Sequence, residues 1–237
     1  MRILSWNILQ GGGRRLSGVL DAIGGWDPDV VCLQEFRHGR TGDAILHALR
    51  ESGLGDHAAP STASASDNTV MVASVWPIEW RTFAAVEGSP VRALDIKIAT
   101  GPEGGLRLLA VHSPQKKAQV PFGAEMVEWA RTEAAGSAMV IGDLNNGVPF
   151  EDSETQSFVN THQFTAMMRL GFIDAWRAQH GDAREYTWVS ARTGNGFRYD
   201  HALVTPPLAE RVVDVTYDHS VRTRRMSDHS LLVLDLA

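Results

Sequence analysis

The sequence predicts a single α/β domain spanning residues 1–237, with a largely antiparallel sheet component, and three observations carry that expectation. Strand-like and helix-like segments mix along the whole chain, with no linker, low-complexity tract or fixed-period repeat between them. Hydrophobic residues make up 43% of the 237, enough for a sizeable core. In the middle of the chain, three extended segments follow one another with only turn residues between them, as in an antiparallel meander.

Arg2-Ile3-Leu4-Ser5-Trp6 reads as a short apolar strand that ends at Asn7 and turns through Gly11-Gly12-Gly13. Leu16, Val19, Leu20 and Ile23 then recur at helical spacing. Asp27-Pro28-Asp29 breaks the chain before a strand over residues 30–33 that runs into Gln34-Glu35. Residues 44–54 predict a second helix with Ile45, Leu46 and Leu49 on one face, and the small polar stretch 58–66 predicts a loop. A strand over 69–75 is closed by Pro77. The meander segments are 80–86, 92–99 and 107–111, separated by Gly88-Ser89-Pro90 and residues 101–105. Residues 122–135 predict a helix, 138–141 a strand, and 161–170 a helix stopped by Gly171. After Tyr186-Thr187-Trp188, a short strand ends in Arg198-Tyr199-Asp200-His201 and leads to Ala202-Leu203-Val204. The final strands cover 212–217 and 231–236, with Ser227-Asp228-His229 just ahead of the last.

The single cysteine, Cys32, sits in the apolar run Val30-Val31-Cys32-Leu33 and reads as a small core residue. With no disulfide possible within the chain, a reducing, cytoplasmic compartment is expected. No signal-peptide pattern opens the chain and no run approaches membrane-spanning length, so a soluble monomer without membrane contact is expected. The formal net charge of -6 argues against indiscriminate nucleic-acid binding through overall charge but leaves room for a locally basic site.

The chemistry is concentrated where buried strands meet polar groups. Small and apolar residues from Met139 run into Gly142, and Asp143 and Asn145 follow at once. A buried strand has no use for a carboxylate, whereas a loop at its carboxyl end can aim one at a ligand. Turn chemistry alone would also place Asp, Asn and Gly there. Recurrence decides between the two readings: further buried strands are expected to end at Asn7, Glu35, His112 and Asp200, and Asp228-His229 precedes a sixth. Clustered carboxylates raise one another's pKa unless a cation neutralises them. An oxygen-rich set without a thiol or histidine cluster favours Mg²⁺ or Mn²⁺ over zinc, and the imidazoles can then serve as acid, base or phosphate ligand.

Trp6-Asn7, Leu33-Gln34-Glu35, Gly142-Asp143-Leu144-Asn145, Arg198-Tyr199-Asp200 and Ser227-Asp228-His229 resemble, in order, the signature motifs of the endonuclease/exonuclease/phosphatase superfamily. The resemblance implies a four-layered α/β sandwich of two mainly antiparallel sheets flanked by helices, as in deoxyribonuclease I. It implies Glu35 as the principal Mg²⁺ (or Mn²⁺) ligand, with Asn7 and Asp228 close to the metal. Asp143 would align or deprotonate the attacking water, and Asn145 would hold it and a phosphate oxygen. His229, oriented by Asp200, would contact the scissile phosphate, and His112 would contact the phosphate or assist the leaving oxygen. Whether Asp143 or His229 is the base stays open at this point.

The C-terminal third is most similar to exonuclease III and its abasic-site endonuclease relatives, through residues 170–177, Tyr186-Thr187-Trp188 and residues 196–200. That similarity implies a DNA-repair nuclease in which Trp188, Phe197 and Tyr199 line a pocket for an extruded sugar, although Trp188 also fits an ordinary strand. Cations follow or precede most of the motifs: Arg14 and Arg15, Arg37 and Arg40, Lys116 and Lys117, and Arg222, Arg224 and Arg225. A positive rim around the cleft is expected from them, with Arg37, Lys116 and Arg225 on the substrate. His112 stands where exonuclease III-like enzymes carry Tyr, and Phe36-Arg37 replaces their usual Thr-Lys. Both departures bear on abasic-site specificity rather than on hydrolysis. Three readings follow: a metal-dependent nuclease, with DNA the expected substrate; a phosphatase or phosphodiesterase acting on a small phosphorylated metabolite or lipid headgroup; and a catalytically silent binding module.

Overall fold

The computed structural model describes residues 1–84, 89–100, 105–155 and 158–237. Along the chain run β1 (Arg2–Asn7), α1 (Leu16–Gly25), β2 (Val30–Phe36), α2 (Arg40–Glu51), β3 (Asp56–Ala58) and β4 (Thr69–Ser74). The meander is β5 (Ile78–Thr82), β6 (Ala93–Ile98) and β7 (Leu106–His112), followed by α3 (Gln119–Glu133), β8 (Ala138–Asp143) and α4 (Thr161–Arg169). The last third holds β9 (Ile173–Asp174), α5 (Ala175–His180), β10 (Trp188–Val189), β11 (Gly196–Phe197), β12 (Asp200–Val204), α6 (Pro206–Ala209), β13 (Val212–Asp218), α7 (Ser220–Thr223) and β14 (Leu231–Leu236).

Two six-stranded sheets carry the fold, in the orders β13-β14-β1-β2-β4-β3 and β5-β6-β7-β8-β12-β9. Each is antiparallel except for one central pair, β1/β2 in the first and β7/β8 in the second. The strands read as continuous apolar runs because both of their faces are buried. Successive side chains point to opposite faces, so Ile3, Val30, Leu108 and Met139 enter a core between the sheets. Leu4 and Val31 pack outward with Val19 and Ile23 of α1 and Ile45 and Leu49 of α2. Leu109 and Val140 pack outward with Phe122 and Met126 of α3 and Phe164 and Met167 of α4. Three apolar cores between four layers make the α/β sandwich that was expected. Cys32 lies fully buried between the sheets, and burial pushes its thiol up to about 12.

Some elements differ from the sequence expectation. Residues 56–58 form a short edge strand where a loop was expected to begin, and the helix at Ala175–His180 has no sequence counterpart. Its start is fixed by Asp174, which caps it by accepting from the Arg177 amide. Asp200 opens β12 rather than ending a strand. Because β12 runs antiparallel to β8, its first residue lies opposite the last residue of β8, pairing Asp200 with Asp143. Residues 85–86 at the tail of the 80–86 segment, Gly88 of the first turn and residues 101–104 of the second lie outside the described residues.

The carboxyl ends of the two parallel pairs meet across the inter-sheet core, and two backbone features aim their side chains. Glu35 sits at a β-bulge between Leu33 and Phe36, with φ +57. The bulge turns its side chain toward the sheet's carboxyl end. Gly142 has φ +137, and a Cβ there would lie 2.0 Å from the Val111 carbonyl oxygen of the neighbouring strand. Only glycine lets β7 and β8 approach this closely one residue before Asp143. Gly142→Ala is expected to cost about 3 kcal/mol or more of unfolding free energy in denaturant titration. A wild-type midpoint and slope would contradict this account.

Candidate active site

An open cavity of about 430 Å³ lies at those converging strand ends, lined by Asn7, Glu35, His112, Asp143, Asn145, Asp228 and His229 among others. On its wall, the Oδ2 atom of Asp143 accepts from Asn7 Nδ2 at 3.1 Å. The Nε2 atoms of His112 and His229 each stand 3.7 Å from that same oxygen. The other oxygen of Asp143 accepts the Asn145 amide at 3.0 Å, which holds Asn145 in its left-handed turn. The Asn145 side chain donates to the Ser113 carbonyl and accepts from Gln115. Glu35 accepts the Gln10 amide at 2.8 Å and faces Asn7 Nδ2 at 3.5 Å.

The two imidazoles have different partners. His229 Nδ1 donates to Asp200 Oδ2 at 2.9 Å. Burial opposes its charge, but Asp200 and Asp143 outweigh that and hold its pKa up at about 10. For His112, burial, with Arg92 and His229 nearby, outweighs Asp143 and pushes the pKa down to about 4. Arg92 can only donate, at 3.0 Å, so His112 Nδ1 accepts and its proton sits on Nε2, facing Asp143. Burial drives the Asp143 carboxyl above its ordinary range; His229, His112 and Asn7 oppose the rise and Asp200 adds to it.

The first and last motifs of the sequence hold each other in place. Trp6 donates its indole N–H to the His229 carbonyl at 3.1 Å, and Ser227 Oγ donates to the Asn7 carbonyl at 2.5 Å. The His229 amide in turn donates to Ser227 Oγ. Arg198, fully buried, forks onto Asp152 and Asp174, and Asp152 also pairs with Arg177. This cluster ties the loop after Asn146 to the start of β12, two residues before Asp200.

Each expected site residue can now be placed. Trp188 and Tyr199 line the cavity, with ring centroids 5.6 Å apart, and Trp188 donates to Asp228 Oδ2 at 3.0 Å. Phe197 is buried behind them, stacked on Tyr199 at 5.1 Å. Lys116 lines the cavity. Arg37 does not line it, and its guanidinium holds Asn68 at 2.6 Å. Arg225 lines a second groove that touches Asp228. Arg15 leaves the expected rim: its guanidinium donates to the carbonyls of Gly12, Met226 and Leu9. Among the described residues, the tightest group of candidate ligand atoms is Asp143, Asp200 and His229, within 4.8 Å of one another. Glu35 and Asp228, expected nearest the metal, lie on the same cavity but outside that group. Sequence reasoning missed Gln115, Gln119, Phe158 and Val159 on the cavity wall. Gln115 directly follows the His112 strand end, which was a usable signal; Phe158 lies in a loop without periodicity, which gave none.

The sequence pattern of the Endonuclease/Exonuclease/phosphatase family matches residues 4–229. The chain belongs to that family. No curated protein sequence matches it closely. Among solved structures, it is similar to a 3′ phosphatase from Neisseria bound to a product DNA hairpin, with TM-score 0.82 and 23% identity over 100% of this chain and 99% of that one. An AP endonuclease from Archaeoglobus fulgidus gives the same TM-score, identity and coverage. An AP endonuclease from Leishmania major gives TM-score 0.73 and 17% identity, over 99% of this chain and 87% of that one. At these identities the likeness establishes a shared fold.

The Arg198 cluster gives a pH prediction with a definite sign. Burial disfavours the charges of Asp152 and Asp174, but Arg198 more than compensates and holds both carboxyls below their ordinary range. Their contribution is therefore present above the unfolded value of about 3.9 and is lost as pH falls below it. Arg198→Met removes the guanidinium that bridges two buried carboxylates, leaving Asp152 with Arg177 and Asp174 with His201, and is expected to cost about 3 kcal/mol at pH 7. In that variant burial raises the same carboxyls, so the deficit should shrink toward pH 4 in urea titrations. A deficit that grew on acidification would overturn the assignment.

Proposed function

We propose that this chain is a divalent-cation-dependent phosphodiesterase that hydrolyses nucleic-acid phosphodiester bonds, acting on DNA as an endonuclease or exonuclease of the exonuclease III type. The observation that carries the proposal is the convergence on one open cavity of Asp143, the imidazoles of His112 and His229, Glu35 and an aromatic wall of Trp188 and Tyr199. The names of the similar proteins, a 3′ phosphatase with bound DNA and two AP endonucleases, support the substrate class.

The donor set fits a hard cation. Glu35, Asn7 and Asp228 offer oxygens on one cavity, and the chain's one thiol, Cys32, is buried away from it. Mg²⁺ or Mn²⁺ held by Glu35, Asn7 and Asp228 would supply positive charge that polarises a phosphoryl oxygen.

The chain's own groups divide the remaining work. His229 is engaged through Nδ1 with Asp200, and Asp143 Oδ2 faces the cavity between Asn7 and the two histidines, so Asp143 Oδ2 is the acceptor placed to align and deprotonate the attacking water. A carboxyl whose pKa is raised by burial suits that role. Asn145, clamped by Ser113 and Gln115, holds the water against a phosphate oxygen. His229 Nε2–H donates to the scissile phosphate while Asp200 fixes its ring. His112 carries its proton on Nε2, where it can donate to the phosphate or the departing oxygen. The rings of Trp188 and Tyr199 offer faces on which a sugar or base can stack.

Labelled abasic duplex, plain duplex, single-stranded DNA, RNA and inositol phosphates, each with Mg²⁺ and Mn²⁺, test the proposal. We expect DNA cleavage that chelation abolishes and that Asp143→Asn or Glu35→Ala each lowers by about 100-fold or more. Phosphate release from inositol phosphates with oligonucleotides intact would replace DNA by a small phosphoester. Activity equal in wild type and Asp143→Asn would remove the mechanism.

A further inference from the structure

Asp228 lies on two cavities. One is the site described above; the other is an open groove of about 450 Å³ on its far side, lined by Leu9, Val189, Arg222, Thr223 and Arg225. Two of its lining residues are arginines, and one of them, Arg222, is partly buried. Arg2, Arg81, Arg107, Arg177 and Arg198 are all held in ion pairs. Neither the Arg222 nor the Arg225 guanidinium forms an ion pair or side-chain hydrogen bond among the described residues. Glu185, the carboxylate nearest to Arg222 in effect, is engaged with His219 at 3.1 Å. Arg222 is also half-buried, and burial outweighs Glu185 and Asp200 in depressing its basicity. A partly desolvated cation without an anion calls for one from outside. Its setting is amphipathic, because Leu9 and the 40%-exposed Val189 give the groove an apolar wall.

We propose that this groove binds the nucleic-acid strand one step beyond the cleaved phosphate. Arg222 and Arg225 take the non-bridging oxygens of a second phosphate, while Leu9 and Val189 pack against its sugar or base. The inference rests on the nuclease reading and extends it, since a polymer would run from the Trp188 wall across Asp228 into the groove. A small phosphoester would leave the groove empty.

The test is cleavage of 3-nucleotide and 12-nucleotide DNA with Mg²⁺ over a salt series, for wild type, Arg222→Ala/Arg225→Ala, the charge-keeping Arg222→Lys/Arg225→Lys and Arg224→Ala. Arg224 is an exposed cation in the same segment that does not line the groove. We expect wild type to prefer the longer substrate. The double alanine variant should lose roughly tenfold of that preference, and its slope of log(kcat/KM) against log[salt] should flatten by about 1, the signature of one lost phosphate contact. The lysine pair should restore the slope, and Arg224→Ala should keep it. DNA cleavage with an unchanged slope in the double alanine variant, or an equal loss in Arg224→Ala, overturns the groove and leaves the nuclease reading standing. Failure of wild type to cleave either oligonucleotide overturns both.

Discussion

The arrangement depends on one carboxylate kept out of water. Asp143 is buried at the centre of the site, where its Oδ2 is faced by the Asn7 amide and the Nε2 atoms of two histidines. Burying an anion is costly unless it is paired and hydrogen-bonded. Most of the neighbouring architecture can be understood as meeting that cost: Asp200 keeps His229 charged, Arg92 fixes the tautomer of His112, and the Asn145 turn bonds the second oxygen.

The topology makes this placement possible. In each sheet a single parallel pair interrupts an antiparallel order, and parallel neighbours end together. Asn7 therefore lies beside Gln34, and His112 beside Asp143. Packing the two sheets face to face brings both sets of ends to one mouth, and β12 adds Asp200 from the opposite direction. Glycine 142 and the Glu35 bulge are local distortions that aim the side chains once the strands are there.

The same charge does different work in different places. Arg198 and Arg15 act as internal ties, one to carboxylates and one to backbone carbonyls. Among the described residues, the Arg222 and Arg225 guanidinium groups beside Asp228 have no ion-pair partner. A cation's partner, rather than its position relative to a motif, separates structural from ligand-facing arginines.

The sequence by itself determined a single α/β domain of buried strands and the motif residues, and the motifs' resemblance to a known family implied the four layers. Runs such as Val30 to Leu33 and Met139 to Ile141 are apolar on both faces, which requires cover on both sides, and a carboxylate or amide at the end of such a run has to face a cavity. That logic reached Asn7, Glu35, His112 and Asp143 without coordinates. Only the tertiary structure decided that Asp200 starts a strand opposite Asp143, that Phe197 backs the wall while Phe158 and Gln115 line it, and that Arg37 turns to Asn68. It also decided the partners of the two histidines, Arg92 for His112 and Asp200 for His229, which carry the same local signature of a histidine beside a buried strand. Strand direction, cavity exposure and pKa are set by neighbours distant in the chain, and a pattern of adjacent residues carries no information about them.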